Sequence, residues 1–381
     1  MIRKYEKKDI DEIVNLENKV LGETLGAEMF NKSLYLSMAH YYVYEENKKI
    51  LGYISTSFDG EIIEILNLCV DNSYQSKGIG SKLFGYALID LYKKGAKSAI
   101  LEVRESNYGA IRFYTRFGFK KISVRKSYYK NGDTALVFQK EFESMFDFEN
   151  KYLSEFTNIE YFDDYISYND DIQKDKYSNN FYFLKNKNKV KSLIKKLSKE
   201  NKRNYLDFDS SFLLDEYLPD FEKTHEIRMF NFTNLVKLDY RIGEVKQIDS
   251  KIKDEFEKLI YNDDLRYGER YALGNSKRLA DIVTSNENFK AYGIYDGNKI
   301  VGSLYVYINK EMAKIEDFFI IEEYQKKGYG ISLLTTVIDI LKKYGVHDLS
   351  ITADFDDTPK KIYERLGFVT ILDNYNYHKE Q

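Results

Sequence analysis

A repeated turn limits what this 381-residue chain can fold into more than any other feature. A Gln-x-x-Gly-x-Gly segment between an apolar run and an amphipathic run occurs at Gln75–Gly80 and again about 250 residues later at Gln325–Gly330. Each copy is followed by a Tyr-x-x-x-Gly-Phe, as Tyr114, Gly118, Phe119 and then Tyr363, Gly367, Phe368. One such turn is a weak signal, but two at nearly the same internal spacing predict a duplicated fold. Glycine lets a ligand approach the main chain, and the free N–H groups and dipole of a helix N-terminus favour an anion. Two pyrophosphate cradles are therefore expected. The first runs from Gln75 through Ser76, Lys77, Gly78, Ile79 and Gly80 to Ser81, and the second from Gln325 through Lys326, Lys327, Gly328 and Tyr329 to Gly330.

The patterning around the turns predicts a mixed α/β sheet flanked by helices, twice. In the first unit Ile10, Ile13, Leu16 and Val20 fall at helical spacing, and strands are expected at 41–44, 51–57 and 62–70, the last two joined through Asp59-Gly60. Phe84, Ala87, Leu88 and Leu91 then stripe the helix after the turn, 99–103 reads as a strand and 108–117 as a helix. The second unit repeats the plan, with a hairpin through Asp296-Gly297 and a stripe of Leu334, Val337, Ile338 and Leu341. Domains are accordingly expected at 1–143 and 240–381. The segment 144–239 reads as an ordered linker domain, alternatively as a decayed half-copy of the same fold. It has strands near 179–184 and 205–208, a helix through Val190, Leu193, Ile194 and Leu197, and no glycine turn.

Composition excludes several function classes. A net charge of -3 gives no chain-wide attraction to nucleic acid or an anionic membrane. No apolar segment approaches the ~20 residues that span a bilayer. A lone cysteine, Cys69, rules out an intramolecular disulfide framework, and the first residues lack a signal-peptide run, so the cytoplasm is expected. His40, His225, His347 and His378 are scattered without metal-ligand spacing. Oligomeric state leaves no trace in the sequence.

The turns, the strands before them and the distal tyrosines resemble motifs of the GNAT acetyltransferases. The first unit resembles the ribosomal-protein alanine N-acetyltransferase branch through Leu101-Glu102-Val103-Arg104-Glu105-Ser106-Asn107, Tyr114–Phe119 and Arg125-Lys126-Ser127-Tyr128-Tyr129. The resemblance implies acetyl-CoA as acetyl donor and an amine as acceptor, either a small molecule or a protein N-terminus. It implies Glu102 as proton acceptor, Tyr114 as proton donor, Asn107 as a coenzyme contact, and Leu68, Cys69 and Val70 as the strand edge along the pantetheine arm. A surface Glu, a core Tyr and a helix-capping Asn are the structural alternatives for the first three. In the second unit Tyr363 and the edge Phe319, Ile320 and Ile321 are the expected counterparts. Counting twelve back from Tyr363 gives Ile351 in place of Glu102, Asp356 takes the position of Asn107, and Glu316 or Asp317 is either a substitute base on the strand before the turn or a solvated strand-end residue. Two other functions fit the same residues. One is a small-molecule acetyltransferase whose second unit is active, an arrangement resembling mycothiol synthase; the other is a non-catalytic acetyl-CoA sensor.

Overall fold

Tyr53 and Gly52, neighbours on one strand, face opposite ways: the tyrosine packs with Ile13 and Leu16, while the glycine lies against Leu83. That strand is buried along nearly its whole length, as expected of one covered on both faces. The computed structural model describes residues 1–22, 24–174, 176–200, 205–236, 241–356 and 358–380. The chain divides into two compact units, Met1–Ser144 and Met145–Gln381.

In the first unit the elements run β1 (Ile2–Lys4), α1 (Ile10–Leu21), α2 (Ala27–Ser33), β2 (Ala39–Glu46), β3 (Lys49–Phe58), β4 (Ile62–Val70), α3 (Ile79–Tyr92), β5 (Ser98–Arg104), α4 (Tyr108–Thr115), β6 (Lys120–Arg125) and β7 (Ala135–Glu141). They form one sheet of order β1-β2-β3-β4-β5-β7-β6, in which only β4 and β5 are parallel, joined across α3. Apolar residues at helical spacing bury one stripe of each helix. Ile10, Ile13 and Leu16 of α1 cover Tyr41, Tyr53 and Cys69, while Phe84 of α3 meets the rings of Phe113, Tyr114, Phe117 and Phe119. Truncating Phe84 to alanine would cost about 3–5 kcal/mol, the usual loss for a core aromatic.

The second unit continues with α5 (Met145–Ser154), β8 (Asn158–Tyr161), β9 (Tyr165–Asn169), β10 (Tyr182–Leu184), α6 (Val190–Glu200), β11 (Tyr205–Ser210) and β12 (Glu222–Phe232). It then runs through β13 (Glu244–Gln247), α7 (Lys253–Asp264), α8 (Glu269–Ser285), β14 (Phe289–Asp296), β15 (Lys299–Asn309), β16 (Met312–Ile320), α9 (Tyr329–Lys343), β17 (Asp348–Asp354), α10 (Thr358–Arg365) and β18 (Val369–Glu380). Its sheet order is β13-β14-β15-β16-β17-β12-β18-β11-β10-β9-β8. Strands β13 to β17 repeat β1 to β5, including the parallel pair bridged by the helix after the turn. On the far side β8-β9-β10-α6-β11 repeats the order of β2-β3-β4-α3-β5, again with one parallel pair.

The segment expected to be a separate linker domain is thus part of the second unit. The reason is strand pairing: β12, which follows β11 in the chain, pairs with β17, and β18, which follows α10, pairs with β11. Ile227 and Met229 of β12 join the core under α9, and Tyr377 of β18 joins the core under α6. The expected boundary at 239/240 lies outside the described residues. A fragment 241–381 lacks β12 and should fail to give a monomer with a cooperative melt, whereas 145–381 should give one; circular dichroism and gel filtration of both fragments check this. Equal folding of the two would contradict it.

Candidate active site

The two turns have the same backbone. Ser76 and Gly78 lie at φ 62 and 85, Lys326 and Gly328 at φ 58 and 95, so alternate residues adopt the left-handed conformation and the intervening N–H groups converge. The first helical bond of α3 is from Lys82 N–H to Gly78 O, and that of α9 is from Ser332 N–H to Gly328 O. The N–H groups of Gly78, Ile79, Gly80 and Ser81 therefore have no carbonyl within the helix. This geometry fits an anionic ligand such as a pyrophosphate. Gly330 has a second role: a Cβ there would come within 2.9 Å of the Phe318 ring, so its absence lets α9 seat against β16.

Gln75 and Gln325 close each turn rather than facing a ligand. Their side-chain amides donate to the last carbonyls of the preceding strands, Val70 O at 3.1 Å and Ile320 O at 2.9 Å. This hydrogen bond also fixes the register between units. Leu68, Cys69 and Val70 correspond to Phe318, Phe319 and Ile320, one residue earlier than the expected Phe319–Ile321. Ile321 follows the end of β16 and its N–H is spent on Val301 O at 2.9 Å, so it has no free donor to offer.

Strand β4 parts from β5 after the pair Ile65–Leu101, while its later residues remain bonded to β3 alone. A bulge between Ser55 and Thr56 of β3 and their β4 partners marks the split. One edge of Leu66–Val70 is thereby left open and leads directly into the turn. Glu102 is the first residue of β5 beyond the last pair. Its carboxylate is held by Arg125 at 2.5 Å and accepts from the Tyr128 hydroxyl, a bond that raises the phenol's proton affinity. The loop between β6 and β7 thus folds over Glu102; Arg104 secures it, stacking on Tyr129 at 3.8 Å and pairing with Asp133 at 2.8 Å.

Tyr114 on α4 packs against Phe84, Phe113 and Phe119, and burial pushes its hydroxyl up to about 12. Tyr129 lies close enough to both Tyr114 and Glu102 for their charges to interact. The Asn107 side chain caps α4, accepting from Ala110 N–H at 3.0 Å, which is the structural alternative expected for it. Cys69 is buried and pushed up to about 12, principally by desolvation, so it is no nucleophile.

Glu17 escaped the sequence reading. It is fully buried on α1, where its carboxylate accepts from Tyr53 and Asn67 on the sheet and from Thr24 Oγ1 and Leu25 N–H beyond the helix end. A glutamate one turn after Ile13, on the stripe that faces the core, was the available signal. It ties the chain after α1 to the bulged part of β4.

In the second unit β16 parts from β17 after Ile315–Ile351, the counterpart of Ile65–Leu101. Thr352, not Ile351, therefore stands where Glu102 stands. The twelve-residue count fails because the connection from β17 to Tyr363 is one residue shorter than that from β5 to Tyr114. Tyr363 itself is buried against Phe318 and Phe368. Beside Thr352 opens a cavity of about 540 Å³ bordered by Glu316, Asp317, Arg228 and Asp209.

Asp209 is pushed up to about 8, first by desolvation and then by Glu226, with Asp207 adding to the rise and Asn374 and Arg228 opposing it. The folded carboxyl thus holds a proton that the unfolded chain releases near pH 4, and the second unit should lose stability as pH rises from about 4 toward 8. Asp209→Asn should flatten that decline and raise Tm at pH 8. A gain of ~1 kcal/mol would appear as about 2–4 °C in a melt. A Tm lower than wild type at pH 8 would contradict it.

Among the described residues no helix is long and apolar enough to cross a membrane, and no cluster of His, Cys, Asp or Glu could hold a metal ion. Residues 10–119 match the family model described as the acetyltransferase (GNAT) family, and residues 273–379 match the acetyltransferase (GNAT) domain. A Bacillus subtilis (strain 168) protein, provisionally named a ribosomal protein bS18-alanine N-acetyltransferase, is 30% identical over 138 residues, 36% of this chain and 91% of that protein. The Escherichia coli (strain K12) enzyme of that name is 33% identical over 88 residues, 23% of this chain and 60% of its own length. A Staphylococcus epidermidis structure of unknown function aligns with a TM-score of 0.52 at 20% identity over 61% of this chain and 97% of its own, a likeness of fold alone. Two matched folds, each with an open strand edge running into a helix N-terminus, define an acyltransferase. The chain belongs to the GNAT acetyltransferase family and carries two of its units in tandem.

Proposed function

We propose that the first unit transfers acetyl from acetyl-CoA to the N-terminal amino group of a protein, alanine foremost. The observation that carries this is the place of Glu102, a carboxylate at the mouth of the β4–β5 split, with Tyr114 sharing Tyr129 as a neighbour. The alanine N-acetyltransferase names of the B. subtilis and E. coli relatives support the acceptor. Acetyl-CoA supplies an activated acyl thioester. Ser76–Ser81 hold its pyrophosphate on backbone N–H groups, and Leu68–Val70 offer the open strand edge to the pantetheine arm. With its side-chain oxygen used in capping, Asn107 reaches the coenzyme through its amide nitrogen. Glu102 takes the proton from the acceptor's ammonium group, and the Tyr114 hydroxyl donates toward the departing sulfur. A lone, buried cysteine is in keeping with the cytoplasm as compartment.

An α-amino group has a pKa of ~7.7–8.0, so much of it is already neutral at pH 8 and little at pH 6.5. Glu102→Gln should therefore lower acetylation of an alanine-initiated peptide by about tenfold at pH 8, below the usual general-base range of about 10²–10⁴, and by more at pH 6.5. Thiol release across that pH range is the measurement. Unchanged rates throughout would remove Glu102 from the reaction.

A further inference from the structure

The cavity beside Thr352 occupies, in the second unit, the position that Glu102 holds in the first, and it is built differently. Thr352 Oγ1 is buried without a hydrogen-bond partner. Seven carboxylates and four cationic side chains line the space. Three of the cations are committed, Lys314 to Glu149 at 2.5 Å and Glu316 at 2.9 Å, Arg228 to Glu226 at 3.0 Å and Arg266 to Asp263 at 2.9 Å, and the fourth, Lys176, donates to Asn275 Oδ1 at 3.0 Å. Asp317 sits in the bulge of β16 at φ 45, where Asn67 sits in β4, and has no ion pair among the described residues. Asp263 and Asp264 end α7, whose C-terminal dipole further favours a cation.

We infer that this cavity is a second acceptor-binding site, for a compact amine carrying two or more positive charges, held by Asp264 at one end and by Asp317 beside the open edge of β16 at the other. A volume of about 540 Å³ suits a small ligand; such sites commonly fall between about 300 and 1,000 Å³. Excess negative charge in a partly enclosed space favours a ligand cation over a neutral or anionic one. Burial raises the proton affinity of Asp263, Asp264, Glu316 and Asp317 even though Arg266, Lys176 and Lys314 oppose the rise. Contributions from α5, the 176–181 loop, β11 and β12 make the site a product of the strand exchange, which brings these elements against β16.

Titration calorimetry of the full chain with spermidine, with putrescine and with uncharged 1,4-butanediol tests this. Spermidine should bind once per chain, more tightly than putrescine, and the diol should give no heat. Asp264→Asn and, separately, Asp317→Asn should each weaken spermidine binding about tenfold or more, with melting curves confirming that the variants fold. Absence of binding by both amines at millimolar concentration, or affinity unchanged in the folded Asp317→Asn protein, would overturn the inference. Neither result depends on peptide acetylation by the first unit.

Discussion

Gly78→Glu should abolish coenzyme A binding at the first turn. The residue lies at φ 85, where a side chain is strained, and its N–H begins the run of unpaired donors at the start of α3. A glutamate there adds a bulky anion where the cradle is built to receive one, so strain and charge repulsion act in the same direction. Gly328, at φ 95 in an equivalent turn, provides an internal comparison. Coenzyme A titrated into the full chain should saturate two sites in the wild type, one in Gly78→Glu, one in Gly328→Glu and none in the double variant. Unchanged stoichiometry in a folded Gly78→Glu protein would remove the turn from coenzyme binding.

Tyr114→Phe should lower turnover of an alanine-initiated peptide by about ten- to a thousandfold, with little change in coenzyme affinity. The ring that packs against Phe84, Phe113 and Phe119 is kept, so Tm should stay close to wild type. With its pKa pushed up to about 12, the hydroxyl is protonated across the working range and always available as a donor. The same rise makes it a weaker acid than a thiol at ~8.5, so the role proposed for it is a hydrogen bond to the sulfur as charge develops rather than early proton release. Steady-state kinetics beside calorimetry separate the two effects. Full turnover in this variant would leave Tyr114 as a packing residue.

Local features were legible because their causes are local. The paired turns follow from glycine spacing, Phe84, Ala87, Leu88 and Leu91 form a helical stripe, and the Asp59-Gly60 and Asp296-Gly297 hairpins need only adjacent residues. The family resemblance rests on such short runs, and the matched regions agree with it. Register between the units was misread by a single residue at Thr352 and at Phe318. The spacing of the two turns, 250 residues, gives both positions, whereas counting back from Tyr363 does not, because one loop of the second unit is a residue shorter.

What only the tertiary structure decided involves partners distant in the chain. β12 pairs with β17 more than a hundred residues later, and nothing within 222–232 names that partner, because a strand's hydrophobic pattern specifies the face it buries and not the edge it meets. The same exchange assembles the acidic cavity from residues between 149 and 376, whose charges no local pattern groups together. Glu17 likewise became intelligible only when Tyr53 and Asn67 were seen to reach it. The sequence by itself determined two GNAT units, their turns and the chemistry of Glu102 and Tyr114 as candidates. Folding decided that the middle segment completes the second unit, since a buried strand edge must find hydrogen-bond partners wherever the chain can supply them.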